Sequence, residues 1–495
     1  MRSKSVAVIG AGIGGIVAAT HLAQHGLKVT VLEKNSRPGG RCDRLERDGH
    51  HFDTGPTMII LKLLYDAEFR ALGASLHDMV DLQRVDPGYR LVFDDGSQFS
   101  LASDMKSIER QVETFETGSF QGLLRYIDEG RRHYQIGTEK LVTRDFRKAS
   151  DFFSLKNIPL VYQLKPFVNH YRNIAAYFND PRLKSAFTFQ DVYIGLSPFE
   201  ASAIFSMIPY SEMIHGVWYP KGGMFQLVGA LVKLAHQAGV EFNFNTAVER
   251  IETEGNTTRG VLLEGGEHLH ADIVLANADL PYVYKNLLPV DGMNDKLARQ
   301  KYSCSTISYF WGLDKTITSL GLHTIFLPDD YRQNFDSIIR DHDLPSNPAL
   351  YLHAPARLDP AMAPFGQDTL IAIVPVGHMC EEKPQDWEEI RDQAREKIFD
   401  RLAKFGINGI KSHIKFEISY TPALWQKRYN LVRGATHGLS HNLLQMAYFR
   451  PHHRHARYHN LYFVGASTHP GTGLPSAMIS GRLVANRIID ELNDE

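Results

Sequence analysis

Near the N-terminus the apolar positions first form a short solid run and then recur at helical spacing, with glycines between. Val6 to Ile9 has strand length. Gly10, Gly12, Gly14 and Gly15 break the run, a helix-like stretch follows to His25, and Gly26 closes it. A second apolar run, Val29 to Leu32, then stops at Glu33. The pattern predicts strand, tight turn, helix and strand. It returns near the other end, where the apolar run of Asn460 to Val464 enters Gly465-Ala466-Ser467 and then Gly471-Thr472-Gly473. A helix is predicted from Leu474-Pro475 to the C-terminus, because proline suits a first helical turn. Between these ends the spacing predicts a helix over Phe225 to Gln237 and a strand from Glu241. A hairpin from Val248 to Leu263 and a strand over Ala271 to Ala278 follow. Further on, strand-like runs cover Thr306 to Leu313 and Thr369 to Pro375, and a charged helix covers Trp387 to Phe405.

The glycine spacing supplies chemistry. Gly10 permits the turn, Gly12 lets a backbone approach a pyrophosphate, and Gly15 lets helix and strand pack closely. Amides at the helix start, Gly14 among them, face the phosphates, whose charge the helix dipole favours. Glu33 follows Gly15 by 18 residues, where a carboxylate accepts from a ribose diol. A lone glycine motif is weak evidence, and a glycine-rich turn in an unrelated α/β fold is the alternative. Strand, helix and acid all in register favour a dinucleotide.

A nicotinamide dehydrogenase would continue into another strand–helix unit. This chain instead runs Lys34 to Arg41 through Gly39-Gly40, then Phe52-Asp53-Thr54-Gly55-Pro56-Thr57. Such a loop passes close to a diphosphate that Arg41 neutralises; a solvated turn is the alternative for Arg37 and Arg41. The glycine-flanked helix start at Leu474 suits the flavin end of a long cofactor. The expected cofactor is therefore FAD. The expected fold class is α/β, with a Rossmann-like FAD-binding domain interleaved with a mixed sheet-plus-helix substrate domain. The cofactor domain is assigned residues 1–80, 216–294 and 431–495. The substrate domain is assigned residues 81–215, facing a membrane, and 295–430.

Bulk composition narrows the class. At 495 residues the chain can bury a large core, and a net charge of −2 gives no reason to expect nucleic acid. Three cysteines, Cys42, Cys304 and Cys380, form no CxxC pair, which suits a reducing compartment. The chain as given enters a strand within about five residues, and no run of about 18 apolar residues occurs. The expectation is a cytoplasmic protein that touches membranes peripherally.

Four stretches carry a family likeness: VAVIGAGIGG with VTVLEK, RPGGR with FDTGPT, WYPKGGM (Trp218 to Met224), and LYFVGASTHPGTGLP. The chain resembles the bacterial and fungal type of phytoene desaturase, within the amine-oxidase-like flavoproteins. The resemblance implies an FAD enzyme that removes two hydrogens at a time from a long apolar polyene, with oxygen or a quinone as final acceptor. It places Gly10, Gly12, Gly14, Gly15, Glu33, Lys34, Gly40 and Arg41 on the ADP half and diphosphate. Gly55, Pro56 and Thr57 join them from the second loop, and Val248 presents its backbone to the adenine. Gly465, Ala466, Thr472, Gly473 and Leu474 lie near the ribityl chain and isoalloxazine. The alternatives are a related carotenoid or retinoid oxidoreductase (a 3,4-desaturase, saturase or isomerase) and a non-catalytic prenyl-protein escort on the same fold.

Other features are weighed against bland readings. Asp151 stands near the position of an acid proposed as a participant in the family, and a helix cap is the alternative. His469 lies inside the flavin motif, where it either bonds the cofactor or supports the turn. His452, His453 and His455 match no metal spacing and read as a solvated basic segment, with no metal expected. The stretch from Asp151 to Phe178 mixes apolar side chains (Phe153, Leu155, Ile158, Val161, Tyr162, Phe167) with basic ones such as Lys156 and Lys165. It suits either a membrane interface or a buried helix pair.

Overall fold

The computed structural model describes residues 3–494. The side chains of Lys156, Ile158 and Val161 lie outside the described set, so their part in the amphipathic stretch is not assigned. Two sheets organise the chain. The first is a five-stranded parallel sheet in the order Leu461–Phe463, Ile273–Ala276, Ser5–Ile9, Lys28–Leu32, Glu241–Asn243. Its strands come from the start, the middle and the end of the chain. They are short, apolar and buried on both faces at the centre, as parallel strands between helices must be. The Val248–Glu254 and Thr257–Leu263 hairpin, extended by His268–His270, forms a separate antiparallel sheet beside it.

Helix Ile13–Gln24 starts directly after the first strand, and helix Phe225–Gln237 spans the predicted residues. The last helix, Leu474–Asn493, docks on the first. Gly481 makes this docking possible, since a Cβ there would sit 2.6 Å from the Gly14 carbonyl oxygen and 3.0 Å from the Ala18 nitrogen. Beside it Arg482 grips Glu68 with two parallel hydrogen bonds, Nε to Oε2 and Nη2 to Oε1, each at 2.9 Å. The bidentate geometry fixes orientation as well as charge.

The second sheet has seven strands and is antiparallel except where His323–Leu327 runs parallel to Arg90–Phe93. Strands from residues 81–215 and 295–430 build it together, so the two long insertions share one sheet. Ser305–Leu313 and Asp368–Val376 form its centre and are buried on both faces except Thr306 and Ile373. The hairpin of Arg44–Arg47 and His50–Asp53 anchors the cofactor half to it through Phe52, which packs edge-on against Phe310 and Phe416. Val217–Pro220, within the 216–294 portion, pairs with Leu82–Val85 rather than with the parallel sheet.

Among the described residues no helix is long and apolar enough to cross a membrane. Replacement of Gly481 by alanine is expected to force the first and last helices apart. Strain of this kind costs about 1–3 kcal/mol. Thermal unfolding of Gly481→Ala against the parent chain checks it, and an unchanged melting temperature contradicts the close approach.

Candidate active site

One cavity of about 1020 Å³ runs between the two sheets. That exceeds the usual span of ligand pockets, roughly 300–1,000 Å³. Its two ends differ in chemistry. One end is walled by Gly10, Gly12, Gly14, Glu33, Lys34, Gly40 and Arg41. The other is floored by Ile325, Tyr351 and Ile373 of the seven-stranded sheet and roofed by Val192, Ile204 and Ile208. Sheet register explains the floor: Ile325 pairs with Tyr351, and Tyr351 with Ile373, so the three stand in one cross-strand row.

At the polar end Gly10 adopts a φ of +98° and donates its N–H to the Leu32 carbonyl at 2.7 Å. Gly15 faces away from the cavity, and its absent Cβ would fall 2.5 Å from the Gly10 carbonyl oxygen, which is the expected helix-to-strand contact. Gly12 caps the first helix with no side-chain hydrogen bond to its amides, leaving them for a ligand. Glu33 accepts from the Ala11 amide at 2.8 Å and from the amide and side chain of Asn35 at 2.9 and 2.8 Å. Its carboxylate is thus fixed at the cavity wall with lone pairs to spare. Lys34 donates to Asn430 Oδ1 at 2.7 Å, and burial lowers its pKa.

Arg41 donates from Nη1 to the Thr436 carbonyl at 2.6 Å and lines the cavity. Gly55 holds this loop, because a Cβ there would lie 2.0 Å from the Arg41 carbonyl oxygen. Arg37 instead pairs with Asp43 at 3.1 Å, and Arg428 shares that partner. Gly55, Pro56, Thr57, Val248, Gly465, Ala466, Thr472, Gly473 and Leu474 all line the same cavity. Gly473 caps the last helix, again with no side-chain cap, so two uncapped helix starts border one space. Uncapped amides, a fixed acid and an arginine at the cavity wall are a donor and acceptor set that fits a dinucleotide flavin.

Several wall residues carried no sequence signal. Asn277 donates to the Gly10 carbonyl at 3.1 Å and lies against Gly12, Gly14, Gly15 and Gly465. Thr436, His437 and His441 form a wall between Arg41 and the last helix, and His441 Nε2 accepts the Thr472 amide at 3.0 Å. Burial pulls the His437 pKa down to about 3. His469 also lines the cavity, packs edge-on against Phe146, and is pulled to about 3 by burial.

The profile of the family Flavin containing amine oxidoreductase matches residues 13–489. Phytoene desaturase of Fusarium fujikuroi is 38% identical, covering 99% of this chain and 90% of its own. The zeta-carotene-forming phytoene desaturase of Myxococcus xanthus is 39% identical, covering 99% and 94%. The chain belongs to the phytoene desaturase group of this flavoprotein family. Its fold agrees with that of an oxidoreductase from Methanosarcina mazei, with a TM-score of 0.64 at 15% identity, covering 97% of this chain and 100% of that one. The cofactor is FAD.

The cap reading of Asp151 fits the structure, and the reading of the histidine segment needs correction. Asp151 does not line the flavoprotein's cavity. Its carboxylate accepts the Lys148 and Arg147 amides at 2.8 and 3.1 Å at the start of the short helix Ala149–Phe152, which is the work of a cap. The histidine segment is solvated only in part, with His452 exposed. His453 and His455 are buried, His453 Nδ1 meets the Phe463 carbonyl at 3.1 Å, and His455 Nδ1 accepts the Arg457 and Tyr458 amides. Arg450 beside them is fully buried. Its guanidinium donates to the carbonyls of Leu439, Ser440, Gln445, Ala466 and Thr468, tying the His441 loop to the flavin motif.

Gly55→Ala is expected to displace Arg41 and weaken FAD binding by at least about tenfold, or 1.4 kcal/mol. Quenching of flavin fluorescence on titration measures this. Asp151→Asn is expected to leave turnover within about twofold, and a loss above about a hundredfold, roughly 2.7 kcal/mol, would return that residue to the reaction.

Proposed function

We propose that this protein is an FAD-dependent desaturase that introduces double bonds into phytoene or a closely related long apolar polyene. The observation that carries the reading is the two-chemistry cavity, a dinucleotide cradle that opens without a break into an aliphatic and aromatic tunnel. A hydrocarbon offers no polar handle, so recognition rests on length and shape. The bound FAD supplies a two-electron acceptor. The chain's own residues hold that cofactor from three segments, align the polyene along the sheet floor, and exclude water. Oxygen or a quinone is the final acceptor in this reading.

Membrane contact belongs to the same proposal. Leu155, Tyr162 and Phe167 are 84%, 87% and 80% exposed, and Leu444 is 71% exposed. Phe152 and Phe153 pack against Tyr448 and Phe449, joining the two stretches into one apolar rim. Neighbours of that rim, Leu141, Val142, Met446 and Ala447, line the cavity. A peripheral lipid interface there would give a lipid-dissolved substrate a dry route inward.

Expression in a phytoene-accumulating host tests the activity. A coloured extract with shifted absorption maxima is expected, and accumulation of unchanged phytoene contradicts the reading. Replacing Tyr162 and Phe167 together by serine is expected to reduce co-sedimentation with phospholipid vesicles several-fold at an unchanged melting temperature. Equal sedimentation of parent and variant would refute interfacial entry at this rim.

A further inference from the structure

The sheet floor of the cavity carries a polar line besides Thr306 and Ser308. Thr57 and Tyr351 both face the cavity, and their hydroxyls lie 2.5 Å apart. Tyr351 Oη is also 2.8 Å from Nδ1 of His323, which is 3.1 Å from Nδ1 of His353. Register accounts for the set. His323 pairs with His353 across the sheet, two residues along each strand from the Ile325–Tyr351 pair, so all four side chains share one face. The rings stack, with His323 and His353 centroids 4.7 Å apart and His323 and Tyr351 centroids 6.0 Å apart.

Hydrogen-bond bookkeeping fixes the tautomers. His353 Nδ1 is 3.2 Å from the Leu322 carbonyl oxygen, which only accepts, so His353 Nδ1 carries a proton. The same N–H faces His323 Nδ1, which must then be the bare, accepting nitrogen. Tyr351 donates to it, and Thr57 donates to Tyr351. Burial lowers the pKa of both imidazoles, so His323 keeps its lone pair at neutral pH. The Nε2 atoms of both rings are buried with no hydrogen-bond partner, so the Nδ1 contacts alone orient the pair. Other phenols line the cavity without a histidine partner: Tyr331 Oη is 3.4 Å from Thr188 Oγ1, and Tyr193 lies beside the buried Glu212. That carboxyl accepts from Tyr89 at 3.0 Å and Gln190 at 3.1 Å, and burial raises it to about 8. Burial favours the neutral carboxyl at Glu212, whereas Tyr351 meets an imidazole nitrogen with a free lone pair.

The desaturase reading, on which this inference rests, leaves one proton unassigned. Two hydrogens leave the substrate: one departs with its electron pair to the flavin, and the other departs as a proton. We propose that Tyr351 is the catalytic residue that takes this proton, with His323 as its positioning partner. The C–H bond next to the electron-deficient carbon breaks, and its electron pair becomes the new C=C bond. The proton forms an O–H bond with Tyr351 Oη as the phenol's own proton passes to His323 Nδ1. His353 then turns its N–H wholly to the Leu322 carbonyl. The proton returns through Tyr351 to water admitted when the product leaves. Thr57 stands in the loop against Arg41 and the sheet carries Tyr351, so the phenol lies where the cofactor end meets the tunnel.

The test is anaerobic single-turnover bleaching of the FAD holoenzyme with phytoene in vesicles, comparing parent, Tyr351→Phe, His323→Leu and the double variant. FAD affinity and melting temperature are measured on each. The expected result is a fall in bleaching rate of about a hundredfold in each single variant, within the range for a lost general base. The double variant should be no slower than the singles, because both block one route. FAD affinity, melting temperature and half-saturating phytoene should not change. A Tyr351→Phe rate within tenfold of the parent overturns the assignment. So does a slow variant that has lost FAD or thermal stability, which would make the role structural. A parent that fails to bleach overturns the desaturase reading itself and this inference with it, an outcome distinct from a parent that bleaches and a variant that keeps pace.

Discussion

The contact between the first and last helices is the constraint on which the rest depends. It requires two backbones to approach where Gly14 and Gly481 meet, and any Cβ at Gly481 would overlap the Gly14 carbonyl. With that contact made, the turn after the first strand and the turn before the last helix border one space. The Arg482–Glu68 fork locks the last helix against a third helix. Neither helix has a side chain capping its start, so amides from both ends of the chain remain available to one ligand.

Arg450 extends this logic. Burying a lone guanidinium is costly unless its donors are satisfied. Here they are met by carbonyls from two loops, residues 439–445 and 466–468. Burial draws its pKa down to about 9, and nearby Asp279 opposes that shift. The same cation that joins the loops therefore sets where His441 and Thr472 stand at the cavity wall.

The seven-stranded sheet supplies the other half of the site by a different rule. Alternation along each strand sends every second side chain to one face. That face is aliphatic at Ile325 and Ile373 and polar at Tyr351, His323 and His353. A tunnel floor built in this way has a fixed register, since a slip of one residue would exchange the whole row. Chemistry placed on a sheet floor is correspondingly rigid, which suits a substrate recognised by shape.

The sequence alone was enough for the strand–turn–helix starts, the acid at Glu33, Arg41, and the helix of residues 225–237, because each follows from local periodicity or from glycines at fixed spacing. It was also enough for family membership, which short motifs carry. At Asp151 the resemblance raised a base while the residues themselves suggested a helix cap, and at residues 452–455 local composition suggested a solvated run. Only the tertiary structure placed the Asp151 carboxylate at a helix start and the rings of His453 and His455 in the interior, with His452 left exposed. Asn277, the wall of Thr436, His437 and His441, and the line from Thr57 to His353 left no local trace. They arise from pairings between residues tens to hundreds of positions apart, such as Thr57 with Tyr351. Periodicity reports which face a residue takes, whereas the identity of its neighbour across the fold is settled only when the sheets close over the cavity.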